Sequence, residues 1–288
     1  MSNTDSQALD RFKLIDFLLY FKGGFMRSEL VAITGIGEAT ASRTAASFME
    51  KNPESAQFLG SRKGHIASFG YAPLFEHEPE LALSYIAKGQ LSTFVNTNVY
   101  GPKTKTLNTT LSNDIVSSLT RGIVQSREVA ITYVSTTSGE KVRIVSPHSI
   151  FSAGGYWYFR GFDEQSGEFR TFKFSRVSKA TDMWDSTRQL TRKQLLKEDK
   201  AWNRLRSVQL APHPKHPTPD AQSLDLGIKD EETKELMISE ALLGFVLTDL
   251  RVDCSKKRAL SCHEYPLVLL NRDNLDDVES MIFAPGFK

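Results

Sequence analysis

The feature that most constrains this chain is an aromatic block at residues 155–176. It runs Gly155-Tyr156-Trp157-Tyr158-Phe159-Arg160-Gly161-Phe162, passes through a polar segment from Asp163 to Glu168, and resumes as Phe169-Arg170-Thr171-Phe172-Lys173-Phe174-Ser175-Arg176. Two aromatic runs around a short polar stretch predict a β-hairpin. Side chains alternate along an extended chain, so without a bulge Arg170, Phe172, Phe174 and Arg176 share one face. Tyr156, Tyr158 and Arg160 share a face on the neighbouring strand in the same way. Arginines interleaved with rings suit an anion that itself carries rings, a nucleotide or nucleic acid. The same residues also fit a barrel core with a few surface arginines. The block alone leaves both readings open.

The remainder of the chain sets the context. Its 288 residues allow two or three domains. A hydrophobic content of 40% with 24% charged residues is that of a soluble globular protein. No apolar run is long enough to span a bilayer, and Met1-Ser2-Asn3-Thr4-Asp5-Ser6 lacks the pattern of a secretory signal. Cys254 and Cys262 fit neither a disulfide framework nor a zinc site. A cytoplasmic protein with ordinary thiols and no membrane association is expected. Net charge is only +2, yet Lys or Arg stands at 188, 192, 193, 197, 200, 204 and 206. In 220–288, by contrast, acidic residues outnumber basic ones by fourteen to eight. That asymmetry suits one anionic partner approached from a defined side. A solvated helix face with no partner is the alternative.

At the N-terminus, Leu9, Phe12, Ile15 and Leu19 predict an amphipathic helix over 7–22, stopped by Gly23-Gly24. Ser28 is placed to cap a short second helix, Glu29 to Ile33. A turn over Thr34-Gly35-Ile36-Gly37 leads into a third helix from Glu38 to about Lys51. There Ala41, Ala45, Phe48 and Met49 form the inward stripe, with Thr40, Arg43, Thr44 and Ser47 on the other side. Two short extended pieces, 57–59 and 65–68, are joined by Gly60-Ser61-Arg62-Lys63-Gly64. Three helices followed by a basic-tipped hairpin is the order of a winged helix-turn-helix. Small outward residues let the third helix lie deep in a major groove, and Arg43 reaches a guanine edge or a phosphate. Arg62 and Lys63 fall along the flanking backbone. The candidate DNA contacts are Arg27, Ser28, Thr40, Ser42, Arg43, Thr44, Ser47, Arg62 and Lys63. A three-helix module that binds protein is the weaker reading, since the charged tip has no packing purpose.

Residues 73–120 predict a linker, broken at Pro73 and Pro79, with helices at 80–87 and 113–121, that also helps dimerise. Leu91 to Val95 is a connector. From Arg127 about five short strands follow within sixty residues, which suggests a small, strongly bent barrel of SH3 or Sm type. Residues 188–206 read as a basic helix. A strand, 207–210, precedes a stiff loop with prolines at 212, 214, 217 and 219. A helix over 231–247 and a strand over 267–270 complete an α+β piece. The expected fold is thus α+β and multidomain: 1–72, 73–120, 121–186, 187–206 and 207–288.

Catalysis finds no support. The histidines at 65, 77, 148, 213, 216 and 263 show no metal-type spacing, and His213 and His216 read as loop residues, solvated or beside a ligand. Neither a phosphate-cradling glycine loop nor a nucleophile elbow occurs. No enzyme, cofactor or metal is expected.

At this point the residues resemble a known family. Gly155 to Gly161, with Arg170 to Val177, resembles the signature of the WYL domain, with Phe159 where the family has leucine. Ser146-Pro147-His148-Ser149-Ile150 resembles the element that precedes it. Val208 to Pro214 and Ala241 to Leu250 resemble the C-terminal WCX extension. With the N-terminal helices, the resemblance covers almost the whole chain. It is to WYL regulators of the BrxR/CapW type, found beside bacterial phage-defence operons such as BREX. It implies a homodimeric repressor that binds double-stranded DNA at an inverted repeat and senses a nucleotide or nucleic-acid effector. The implied ligand contacts are Tyr133, Ser146, His148, Tyr158, Arg160, Arg170, Phe172, Lys173 and Arg176. Arginine forks suit phosphate, Tyr158 or Phe172 suits a stacked base, and Trp157, Phe159 and Phe174 are core. The reading from a different class is an adaptor that binds single strands or a nucleotide through the barrel, with its N-terminal helices meeting protein.

Overall fold

The computed structural model describes residues 3–88, 111–183, 189–227 and 233–287. Two compact units share the chain, one of 1–151 and 157–194, the other of 152–156 and 195–288. No described helix is long and apolar enough to cross a membrane.

Helix α1 (Asn3–Lys22) opens the first unit. The expected one-sided stripe gives way to burial all round: every residue from Leu14 to Phe21 is buried. The cause is a second covering layer. Helix α3 (Glu38–Lys51) packs on α1, and so does α5 (Asn113–Val124). A helix apolar on all sides is a core helix. Gly23, at φ 74°, ends α1, and strand β1 (Gly24–Phe25) follows at once. Helix α2 (Arg27–Thr34) starts two residues before the expected place. Its cap is Met26 rather than Ser28, because the Met26 N–H donates to Glu29 Oε2 at 3.0 Å. Helix α3 keeps its expected bounds, with Ala41, Ala45 and Phe48 buried. Strands β2 (Ala56–Phe58) and β3 (His65–Ala67) form the hairpin, and β1 adds to it in the order β1-β3-β2.

Helix α4 (Pro79–Lys88) begins at Pro79, where a ring-locked φ and a missing N–H suit a first turn. The Leu91–Val95 connector lies outside the described residues. Asp16, fully buried in α1, gathers the segment that precedes α4. Its carboxylate accepts from the Leu74 N–H at 2.9 Å, the Phe75 N–H at 3.1 Å and the Tyr71 hydroxyl, and faces His77 Nε2 at 2.7 Å. Tyr71, half-buried against that carboxylate, is pushed above the ordinary tyrosine range, by desolvation first and then by Asp16. The end of α1 is held by α5: Arg121 Nη1 donates to the Tyr20 carbonyl at 2.8 Å, and Gln125 Nε2 to the Lys22 carbonyl at 3.1 Å.

Five strands follow: β4 (Val129–Ser135), β5 (Gly139–Ala153), β6 (Tyr156–Asp163), β7 (Glu168–Lys173) and β8 (Val177–Asp182). Their order is β7-β6-β5-β4-β8. The expected β6–β7 hairpin forms around Gly167, at φ 69°. Asp163, buried, accepts from the Gln165 N–H at 3.1 Å and pairs with Arg143, which secures the turn. Ile131, Phe159, Phe172 and Phe174 join Phe17, Phe21 and Phe48 in one hydrophobic cluster. The N-terminal helices and the five-stranded sheet therefore share a continuous core.

The second unit departs more from expectation. Where a basic helix was expected at 188–206, the described part, from 189, holds a 3-10 turn at Arg192–Gln194, at the end of the first unit, and then a 3-10 turn at Leu196–Glu198 and one α turn, α6 (Lys200–Asn203). The lysines and arginines there have no apolar stripe to seat a helix, and buried Asp199 caps α6 by accepting from the Trp202 N–H. Strand β9 (Leu205–Pro212) is longer than expected. Pro219 starts a helix, α7 (Pro219–Leu226), rather than closing a loop. The long helix expected over 231–247 is instead strand β10 (Lys234–Ser239) and helix α8 (Leu243–Asp249). Leu236 and Ile238 alternate with Glu235 and Met237, a period of two, and β10 pairs with β9 from Lys234↔Leu210 to Ser239↔Leu205. Strands β11 (Val252–Asp253) and β12 (Leu267–Leu269) complete a sheet of order β10-β9-β12-β11. His213, expected in a solvated loop, is fully buried, with Nε2 3.5 Å from the Asp253 carboxylate.

Candidate nucleic-acid interface and ligand face

The nine expected DNA contacts all lie around α2, α3 and the hairpin, but their exposure differs. Arg27, Ser28, Ser42, Arg43, Arg62 and Lys63 are exposed; Thr40, Thr44 and Ser47 are only half-buried. The exposed stripe of α3 is Ala39, Ser42, Arg43, Ala46 and Glu50. These positions recur at helical spacing, one step around from the expected Thr40 and Thr44. Thr44 spends its hydroxyl on the Thr40 carbonyl at 2.9 Å, and Arg43 Nη2 lies 3.4 Å from Thr40 Oγ1. Arg27 pairs with Glu38 at 3.1 Å, so the carboxylate at the start of α3 is neutralised. One tight spot fixes the hairpin. A Cβ on Gly64 would stand 2.3 Å from the Phe25 carbonyl oxygen, and Gly64 itself has φ 71°. Ala39, Ala46 and Phe58 are exposed as well, and composition gave no reason to single them out, since they carry no charge.

The ligand candidates do not converge as expected. Pairing puts Tyr158 opposite Lys173 and Arg160 opposite Thr171, whereas Phe159 lies opposite Phe172 and Gly161 opposite Arg170. Opposed residues of an antiparallel pair share a face. Tyr158, Arg160, Thr171 and Lys173 thus occupy one face, and Arg170 and Phe172 the other. Phe172 is core, stacked on Phe159 with centroids 5.2 Å apart and edge-on to Tyr133 at 5.1 Å. Tyr133 is buried as well, and its hydroxyl oxygen accepts from the Lys173 N–H at 3.2 Å. Arg170 is exposed and paired with Glu168 at 2.8 Å. A 3-10 turn over Phe174–Arg176 breaks the alternation that was to carry Arg176 along the strand.

A coherent face remains. Arg160 Nη1 donates to Thr171 Oγ1 at 3.2 Å. Tyr158 stacks on Phe151 with centroids 5.3 Å apart, and Lys173 Nζ lies 5.8 Å from the Tyr158 ring. Burial, and then the neighbouring charge of Arg176, pull the Lys173 ammonium below its ordinary range. Arg176 closes the 3-10 turn, three residues after Lys173. His148 contacts the ring of Phe169 at 5.6 Å on that same side. Ser146, by contrast, is fully buried and bonded to Gln194 Nε2 at 3.1 Å. Gln194, also buried, reaches Glu128 at 2.7 Å and Glu164 too, and sequence reasoning missed it because its partners are far away in the chain. Among the described residues no group of three or more His, Cys, Asp or Glu could hold a metal ion.

Comparison with known proteins places this architecture. Residues 114–182 match the WYL domain, and residues 205–275 match the C-terminal dimerization domain of the BrxR transcriptional regulator. The class is that of transcription regulators built around a WYL domain. Within it, the chain is homologous to the CapW repressors, which is consistent with a regulator of the BrxR/CapW type. It is 25% identical over 286 residues to the DNA-binding transcriptional repressor CapW of Pseudomonas aeruginosa, covering 93% of this chain and 90% of that one. Against the protein of the same name from Escherichia coli (strain KTE188) identity is 24% over 213 residues, covering 71% and 69%. Among solved structures, proteasome accessory factor B/C of Arthrobacter aurescens aligns with a TM-score of 0.25 and 15% identity over 95% of this chain and 45% of that one, a likeness too slight to argue from.

Proposed function

We propose that this chain is a homodimeric, sequence-specific DNA-binding regulator that acts in the cytoplasm as the repressor of a phage-defence operon. Helices α1–α3 and the three-stranded sheet act as a winged helix-turn-helix, and the five-stranded sheet as a small SH3-like or Sm-like barrel. One observation carries this reading: α3 presents small residues and Arg43 outward, beside a hairpin tip that exposes Arg62 and Lys63. A helix so lined can approach base edges closely, with arginine for guanine and the tip for phosphates. The names of the CapW relatives, DNA-binding transcriptional repressors, support it. Two copies joined through residues 205–275 present two such helices to an inverted repeat, about one duplex turn, roughly 34 Å, apart or a multiple of it.

The effector site is the face of Tyr158, Arg160, Lys173, Arg176 and His148. Three cations beside a stacked tyrosine suit the phosphate and base of a nucleotide or short nucleic acid. The effector weakens operator binding to the extent that it prefers the arrangement with poorer helix spacing.

The test is a mobility-shift titration of wild type and Arg43→Ala on DNA from upstream of the chain's own gene. Arg43→Ala is expected to weaken binding by about 1–3 kcal/mol while leaving thermal unfolding unchanged. Wild-type affinity should fall steeply with salt. Equal binding by both proteins would transfer the case to the adaptor reading.

A further inference from the structure

A slot of about 450 Å³ runs beside α3, between that helix, the start of α2 and the hairpin. Its apolar walls are Met26, Ala45, Ala46 and Phe58. We infer that this slot reads thymine, by packing the 5-methyl group of the base between Ala46 and Phe58. The inference rests on the DNA-binding reading above and names what that site recognises.

Phe58 is 63% exposed, an unusual cost for a ring in a short hairpin. Its place is nonetheless fixed. The ring lies 5.0 Å from His65, and His65 stacks at 4.6 Å and 6° on Phe25, which is core. A ladder of three rings thus holds an apolar surface next to the exposed stripe of α3. On that stripe Ala39 and Ala46 offer only methyl groups, and hydrogen bonding falls to Ser42 and Arg43. Charge complementarity names the occupant. Arg27 and Glu38 line the slot and pair with each other at 3.1 Å, and the exposed Arg62 and Lys63 stand on the hairpin tip between its lining residues Ser61 and Gly64. A polyanion with an apolar group on its readable edge fits such a surface. In the major groove of a duplex that group is the thymine methyl, recognised by apolar contact with side chains such as alanine and phenylalanine.

The experiment starts with the full chain, selecting its preferred duplex from a random pool. Each thymine of the selected site is then replaced singly by deoxyuridine, which removes the methyl group and nothing else. For wild type, at least one replacement per half-site is expected to weaken binding about fourfold, the worth of one buried methyl-sized group. Phe58→Ala should bind thymine and deoxyuridine duplexes equally well, and Phe58→Leu should keep the preference. Wild-type indifference to every replacement would overturn the inference, as would an undiminished preference in Phe58→Ala. Should Phe58→Ala fail to fold, wild type and Phe58→Leu still decide the matter. If no duplex is enriched at all, the DNA-binding reading falls, and the slot falls with it; enrichment without methyl dependence sinks the slot alone.

Discussion

Asp16→Asn tests how the N-terminal helices are tied together. The Asp16 carboxylate is fully buried and serves Tyr71, Leu74, Phe75 and His77. Asparagine keeps the shape, but its single carbonyl accepts about two of these contacts, and its amide turns donors toward the rest. Two donors then lose their partner. At about 1–3 kcal/mol each, the expected loss is roughly 2–6 kcal/mol. That is a large part of the roughly 5–15 kcal/mol that holds an ordinary domain together. Urea unfolding followed by circular dichroism measures the loss. Hydrogen exchange locates it, with the Leu74 and Phe75 amides accelerated first. An Asp16→Asn protein within about 1 kcal/mol of wild type would refute the reasoning, since it would mean that those donors find water as readily as the carboxylate.

Three further outcomes are expected. Arg121 bonds the Tyr20 carbonyl and both carboxylate oxygens of Asp182, so Arg121→Ala should cost about 1–3 kcal/mol and speed exchange at the end of α1; Arg121→Lys should not restore it, since lysine lacks the fork. Burial pushes the Asp253 carboxyl up, but hydrogen bonds from the Ser255 side chain, the Ser255 and Leu260 N–H groups, and facing His213 outweigh it and hold it below the ordinary value. A depressed folded pKa means stability that is present above the unfolded value of 3.8 and lost as pH falls through the folded one, so Asp253→Asn should flatten the acid limb of a stability–pH curve. Burial, followed by the Asp253 charge, pushes the Cys254 thiol up to about 12, with Arg272 opposing. A thiol reagent at mildly alkaline pH should therefore label Cys262 in the folded protein and Cys254 only on unfolding, as peptide mass mapping can check.

What was legible in the residues was local. Helix α3 appears where glycines and a proline bracket it, and the β6–β7 hairpin where a polar turn divides two aromatic runs. Arg43, Arg62 and Lys63 are exposed, as the segments that carry them led one to expect. The readings that failed depended on distant partners. Strand β10 is a strand because β9 accepts it; α1 is buried all round because α5, about a hundred residues away, covers its second side. Arg160 and Arg170 parted because register decides parity, and neither strand carries that register alone. Ser146 is closed by Gln194, and Phe58 lines one slot with Ala46, which lies on a different element.

The sequence by itself thus determined where the backbone turns and which segments carry charge, since φ/ψ preferences and side-chain chemistry act over a few neighbouring residues. Only the tertiary structure decided which faces are covered and which side chains meet. Coverage is a property of pairs of segments, and the energy that selects a pair comes from surface buried between residues that the chain order keeps apart.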